Sequence, residues 1–193
     1  MKKFSPKEIL VPTIVLLLIC VVSAALLGGT NMLTKDKIAS IEAEAKATAM
    51  QTVMPDAVSF SDAITATEKL EYSVALDKDN KEIGYAFTVA DNGYGGEIKI
   101  MVGINPDGTV SKVAVLSADN ETPGLGQNIK KDSFLDQFAG KIGSLTVTKN
   151  APSTDTEIQA ITSATISSSA VTRAVNSALE YYSENLAGGE NNG

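Results

Sequence analysis

Histidine and tryptophan are missing from this chain of 193 residues, cysteine occurs once, and aromatic side chains are scarce. Each absence closes off a class of chemistry. Without histidine there is no Ser-His-Asp triad, no imidazole general base and none of the commonest transition-metal ligand. The single cysteine, Cys20, sits inside an apolar run, so the rest of the chain forms neither an internal disulfide nor a thiolate metal cluster. No residue is expected to be catalytic in its own right and no metal site is expected. Any redox chemistry must be borrowed from a cofactor.

What is present begins with one long uncharged stretch, Ile9 to Thr30, of 22 residues. An α-helix needs about 20 to cross a bilayer. Lys2, Lys3 and Lys7 precede it, and the positive-inside bias puts residues 1–8 in the cytoplasm and everything beyond Thr30 on the outer side. Val22-Ser23-Ala24 has the small-residue pattern of a signal-peptide cleavage site, but the apolar run continues through Ala25, Leu26 and Leu27 to Gly28 and Gly29, which favours a retained anchor. Ile19, before Cys20, is too large for a lipoprotein processing site. Removing the three lysines and one glutamate of the first eight residues from 16 basic and 23 acidic leaves 13 and 22, a net charge of −9. So acidic an outer part argues against a nucleic-acid partner.

After the anchor, Ile38, Ile41, Ala45, Ala49 and Val53 recur at helical spacing until Pro55, which gives a helical connector over residues 31–55. Residues 56–187 are long enough for one domain with its own core. Asp56 to Leu70 reads as loop with a turn of helix. Tyr72–Leu76 and Ile83–Val89 read as one hairpin, and Glu97–Ile104 with Thr109–Leu116 as a second, joined by Asn105-Pro106-Asp107-Gly108. Asn128–Phe138 is expected as a short helix packing Ile129, Phe134, Leu135 and Phe138, followed by a strand through Leu145-Thr146-Val147. A last helix from about Ser168 to Leu186 carries Val171, Ala174, Val175, Ala178, Leu179 and Tyr182 on one face. Residues 188–193 are expected to be a disordered tail. The fold class is therefore α+β: an N-terminal transmembrane helix, then one extracytoplasmic domain with an antiparallel sheet and flanking helices.

Two polar segments stand out. Ile161-Thr-Ser-Ala-Thr-Ile-Ser-Ser168 leads into the last helix, and a row of hydroxyls at a helix start suits a phosphate, which the free N–H groups and the helix dipole both favour. Far upstream, Glu121-Thr122-Pro123-Gly124-Leu125-Gly126 combines a fixed φ at Pro123 with glycines that permit close backbone approach. Taken singly, the first is an N-cap and the second a Pro-Gly surface turn.

Together these segments resemble the FMN-binding domain of the RnfG and NqrC subunits of membrane-bound redox complexes. In that family the last Thr of a (Ser/Thr)-Gly-Ala-Thr motif carries FMN through a phosphoester bond, and the matching position is Thr165, preceded by Thr162, Ser163 and Ala164. The resemblance implies that a separate flavin transferase makes the bond, and that Ser167 and Ser168 cap the helix and contact phosphate oxygens. It also implies that Leu125 offers the isoalloxazine an apolar contact, with Glu121 or Thr122 at its polar edge beside Gly124 and Gly126. Gly93-Tyr94-Gly95-Gly96 is similar to the family too, and Tyr94 is placed at the border of the flavin pocket. It lacks the Lys and spacing of a P-loop.

Three positions depart from the family pattern: Ser163 replaces Gly, Gln159 replaces Asp, and Asp119 stands where a His is often found. If position 163 needs positive φ, Ser costs energy there that Gly would not. The function implied is that of an RnfG-like subunit of an ion-translocating ferredoxin:NAD oxidoreductase, a membrane-anchored electron relay among other membrane subunits. The alternatives are an NqrC-like subunit of a sodium-pumping NADH:quinone reductase, a free-standing outer-face flavoprotein and an anchored binding domain without cofactor.

Overall fold

A computed structural model describes residues 6–187, with side chains from Leu10 onward. Residues 1–5 of the expected lead, 1–8, and the expected C-terminal tail, 188–193, lie outside the described residues. By its contacts the chain divides into two units, residues 1–44 and 45–193.

The first unit is part of one helix, α1, Pro6–Val53. From Leu10 this helix is long and apolar enough to cross a bilayer, and its leucines, valines and isoleucines from Leu10 to Ile41 are exposed. Thr30 and Thr34 return their hydroxyls to carbonyls four residues back, so these polar side chains burden the helix with no unpaired donor.

The second unit is built on a sheet in the order β1-β3-β4-β5-β6, with β2 also paired to β3. Its strands are β1 Ser59–Phe60, β2 Ile64–Thr67, β3 Leu70–Leu76, β4 Glu82–Asn92, β5 Glu97–Ile104 and β6 Val110–Ser117. All pairings within it are antiparallel. The two expected hairpins are both there, and the turn at 105–108 closes with Gly108 at φ +83°.

Register decides the layers. Tyr85, Phe87 and Val89 of β4 lie opposite Ile104, Val102 and Ile100 of β5, and this face is buried under the last helix, α3, Thr165–Asn185, through Val171, Ala174, Val175, Ala178 and Leu179. The opposite face presents Ala86, Met101 and Ala75 to Ala49, Val53 and Met54 at the end of α1. Gly103 permits that second layer, because a β-carbon there would collide with the Val53 carbonyl oxygen. Lys46 pairs with Glu71 of β3 at 2.5 Å beside it. Of the apolar stripe expected on the connector, Ala49 and Val53 are buried, whereas Ile38 and Ile41 stay exposed.

Three expectations need correction. Asp56–Leu70 is not loop with helix: it holds β1 and β2, short and mostly exposed edge strands that complete the pairing of β3. The helix expected over Asn128–Phe138 is broken into a 3₁₀ turn at Gly126–Lys130, a single α turn α2 at Asp132–Leu135 and another 3₁₀ turn at Asp136–Phe138, because Lys131 adopts an extended conformation. Its four apolar residues are nevertheless all buried. Beyond it, β7 Thr146–Thr148 pairs in parallel with β8 Glu157–Gln159, a strand not expected from sequence.

Candidate functional site

The polar segments singled out in the sequence meet at one end of the sheet. There the β4–β5 turn, Gly93–Gly96, faces the loop that leaves β6, and the N-terminus of α3 closes the third side. Between them lies a cleft of about 580 Å³, within the roughly 300–1,000 Å³ of small-molecule sites. Tyr94, Glu121, Thr122, Leu125 and Gly126 line one side; Ser163, Ala164, Thr165 and Ser167 line the other. Thr162, Gly124 and Ser168 do not line it. Ile166 does, and sequence reasoning missed it because the helix was expected to start later: α3 begins at Thr165, so Ile166 falls in its first turn and is exposed at the cleft.

The helix start has the form an anion site requires. Ala164 is the N-cap residue and no side chain caps the helix, so the serine cap expected from sequence is not formed. The first-turn N–H groups of Thr165, Ile166 and Ser167 have no intrahelical acceptor. Ser167 and Ser168 have other partners. A serine hydroxyl has one proton to give; that of Ser167 goes to Glu121 Oε2 at 2.5 Å and that of Ser168 to the Ala164 carbonyl at 2.9 Å. Ser168 also accepts the Ile161 N–H at 3.0 Å, and its buried side chain ties the approach segment to the helix. Neither serine hydroxyl has a proton free for a phosphate, which leaves the backbone of the first turn and the half-buried Thr165.

Just before the helix, Ser163 holds φ at +64°, the left-handed region that favours glycine. The turn through Thr162 and Ser163 is closed by the Ala164 N–H on the Ile161 carbonyl at 2.9 Å. Gln159, at a second departure from the family pattern, pairs with Gln137: its N–H reaches Gln137 Oε1 at 2.8 Å and its carbonyl accepts from Nε2 at 3.3 Å.

Glu121 is the centre of the opposing wall. Its side chain is buried, and Oε1 accepts the Gly95 N–H at 3.0 Å while Oε2 accepts from Ser167. The glycines around it are there to make room. A β-carbon at Gly126 or Gly93 would run into the carboxylate, and one at Gly95 would overlap the Asn120 carbonyl oxygen. Gly124 serves differently: its surroundings are open, but its φ is +76°. The Gly93–Gly96 turn is further held by Arg173 of α3, the only arginine in the sequence, which donates to Asp91 Oδ2 at 2.8 Å and to the Asn92 carbonyl at 3.0 Å. Asp119 lies at the surface, paired with Lys130 at 3.1 Å.

Uncapped N–H groups beside a threonine hydroxyl suit a phosphate, while exposed Leu125, Ile166 and Tyr94 at the same cleft offer apolar surface to a flat group. The residues present thus fit a mononucleotide cofactor with one phosphate.

Comparison with known proteins agrees with that fit. Residues 93–180 match the model of the FMN-binding domain, which starts at the glycine turn and includes every residue lining the cleft, and residues 1–53 match the RnfG N-terminal region. The chain is 37% identical over 162 residues to the G subunit of the proton-translocating ferredoxin:NAD(+) oxidoreductase complex of Clostridium ljungdahlii, covering 83% of this chain and 84% of that one. It is 33% identical over 192 residues to the G subunit of the Na(+)-translocating ferredoxin:NAD(+) oxidoreductase complex of Acetobacterium woodii, covering 90% and 91%. Among solved structures, the C subunit of the Na(+)-translocating NADH-quinone reductase of Parabacteroides distasonis matches with a TM-score of 0.52 at 25% identity, over 63% of this chain and 65% of that one.

Proposed function

This chain belongs to the family of G subunits of Rnf-type ion-translocating oxidoreductase complexes, and from that premise we propose that it carries FMN as a phosphoester on Thr165, in a domain on the outer side of the membrane. It is an electron-transfer subunit of a redox complex and has no complete active site of its own. A sequence without histidine, whose one thiol lies in the apolar helix, has no redox group to offer, and bound FMN supplies the exchange of one or two electrons.

The chain's residues do the holding. The dipole and free N–H groups of the first turn of α3 stabilise the phosphate charge, and Leu125, Ile166 and Tyr94 give the ring an apolar bed. The helix terminus alone contributes only about 0.3–1 kcal/mol toward an anion, too little to retain a cofactor that dilution would carry away outside the cell. A covalent bond removes that loss. In forming it, Thr165 Oγ1 gives up its proton and bonds to phosphorus, while the phosphorus–oxygen bond to the donor's leaving group breaks; no electron changes hands. Glu121 is the one carboxylate lining the cleft and already accepts two hydrogen bonds, so the base and the donor site belong to a separate flavin transferase.

The observation that carries this reading is the meeting of two segments 46 residues apart, through the Ser167–Glu121 hydrogen bond, around a threonine at an uncapped helix start. The remaining parts of the proposal are that Ile9–Thr30 anchors the chain with its N-terminus in the cytoplasm, and that α1 packs among the membrane subunits of the complex. The NqrC-like alternative is weaker, because the named relatives that match over more than four fifths of both chains are G subunits. Co-expression of the full chain with a flavin transferase, followed by mass spectrometry of the peptide containing Thr165, should find FMN on that residue. An unmodified peptide from a host with active transferase overturns the proposal.

A further inference from the structure

The sequence placed Glu121 at the polar edge of the flavin, as a ligand. Its surroundings give it different work. Both carboxylate oxygens are taken by donors from elsewhere in the chain: Oε1 by the Gly95 N–H at 3.0 Å and Oε2 by the Ser167 hydroxyl at 2.5 Å. The side chain is 2% exposed, and Gly93 and Gly126 leave it no room to swing, since a β-carbon on either would already collide with the carboxylate. The two donors sit on the two walls that flank its own loop. Gly95 belongs to the turn that carries Tyr94, and Ser167 lies two residues beyond Thr165 in the first turn of α3. One buried carboxylate therefore fixes three segments at once.

We propose that Glu121 is a positioning residue for the acceptor threonine: by holding Ser167 and Gly95 together it sets the first turn of α3 so that the Thr165 hydroxyl and the free N–H groups face the cleft. The proposal rests on attachment at Thr165 and deepens that reading. The uncapped helix start explains why such a buttress is needed. The N-terminal turn has no side-chain cap and follows Ser163 in a left-handed conformation, and the local bonds of Ser168 and the Ala164 N–H tie it only to the approach segment from Ile161 to Ala164. Glu121 adds the restraint to the opposite wall, from a distant loop, without occupying the N–H groups that a phosphate needs.

The geometry also says which substitution restores the restraint. Glutamine keeps the shape of the side chain; its carbonyl accepts the Gly95 N–H, and its amide donates to Ser167 Oγ, whose own proton then turns away. Alanine keeps neither bond.

The test uses the full-length apo chain in detergent with a flavin transferase and its flavin nucleotide donor, following the initial rate of label at Thr165. E121A should lower the maximal rate about tenfold or more at an unchanged KM for the nucleotide donor, since misplacing a reacting group by about 1 Å costs up to 100-fold. E121Q should recover to within about threefold of wild type. E121A labelling at the wild-type rate overturns the proposal. So does E121Q labelling as slowly as E121A, which would mean that the two hydrogen bonds glutamine retains do not set the rate. If E121A does not fold, S167A, which deletes one of the two bonds with little change of volume, carries the test and should label several-fold more slowly. Wild type that takes no label at Thr165 under these conditions sinks the attachment site instead, and is thereby told apart from a failure of the positioning role.

Discussion

The two ends of α3 are built on opposite plans. At its N-terminus small and hydroxyl-bearing residues surround an open cleft, few side chains fix the first turn, and Tyr94 stands alone and exposed. At its C-terminal end the other four tyrosines, Tyr72, Tyr85, Tyr181 and Tyr182, pack edge to face or tilted around one another and Phe87, with ring centroids 5.5–6.2 Å apart. Tyr182 also donates its hydroxyl to the Pro106 carbonyl at 2.6 Å, tying the helix to the β5–β6 turn. One end is held by area and the other by a handful of hydrogen bonds. The aromatic end gives the helix a fixed axis, and the polar end can then leave its N–H groups free.

Thr165→Ala breaks the comparison most sharply. Covalent flavin fluorescence in a denaturing gel should fall to background, while stability moves by less than about 0.5 kcal/mol, as is usual for substitutions at partly exposed positions. Retained label in this variant would place the bond elsewhere. The converse change is Phe87→Ala, at a fully buried ring that contacts three tyrosines. It should cost about 3–5 kcal/mol, a fall in melting temperature of roughly 10 °C for a domain of this size, yet leave Thr165 fully labelled below that temperature. A Phe87→Ala protein that is folded but unlabelled would mean that the two ends are not separable.

Why the aromatic end was legible in the sequence and the polar end only partly so follows from the range of the interactions. Val171, Ala174, Val175, Ala178 and Leu179 repeat with the helix period, and the turn at 105–108 carries its own dihedral demands, so local pattern sufficed. The hydroxyl cluster and the Glu121 loop were visible as residue types. The resemblance put them at one site, but not the hydrogen bond between them: Ser167 and Glu121 are 46 positions apart, and nothing local says that Ser167 spends its proton there and not on a phosphate. Gly93, Gly95 and Gly126 could be read as turn formers, whereas their use is to admit a carboxylate and a carbonyl oxygen. β2 escaped because Ile64-Thr-Ala-Thr is short and flanked by Ser, Asp and Thr, and the break at Lys131 because the apolar spacing around it is still helical.

A smaller effect tests the aromatic end by pH. Burial, and then the carboxylate of Glu82, which accepts the Tyr85 hydroxyl proton, push the Tyr85 pKa well above the usual value of 10.0. The sign follows from which state ionises first. Below pH about 10 both states hold the proton and the stabilisation is complete. Above it the unfolded chain releases its proton while the folded one does not, so stability falls with rising pH until the folded tyrosine ionises. Denaturant melts between pH 8 and 11 should show this decline, and Tyr85→Phe should flatten it. An equally steep decline in the variant would assign the effect to Tyr72 or Tyr182, whose pKa values burial also raises.

The smallest change acts on the polar end, at the residue where this chain departs from its family. Ser163 sits at φ +64° with its side chain exposed, a conformation that costs a residue with a β-carbon about 1–2 kcal/mol relative to glycine. Serine recovers part of this because it restricts the unfolded chain more than glycine does, by about 0.4–1 kcal/mol. Ser163→Gly should therefore stabilise the domain by about 0.5–1 kcal/mol, a rise of about 1–4 °C in melting temperature, with labelling at Thr165 no slower than in wild type. A stabilised but poorly labelled variant would mean that the side chain at 163 takes part in the acceptor turn and the strain there is retained for attachment. A destabilised one would mean that the turn from Ile161 to Ala164 holds the left-handed conformation at less cost than the extra unfolded-chain entropy of glycine, and the departure from glycine is then stabilising.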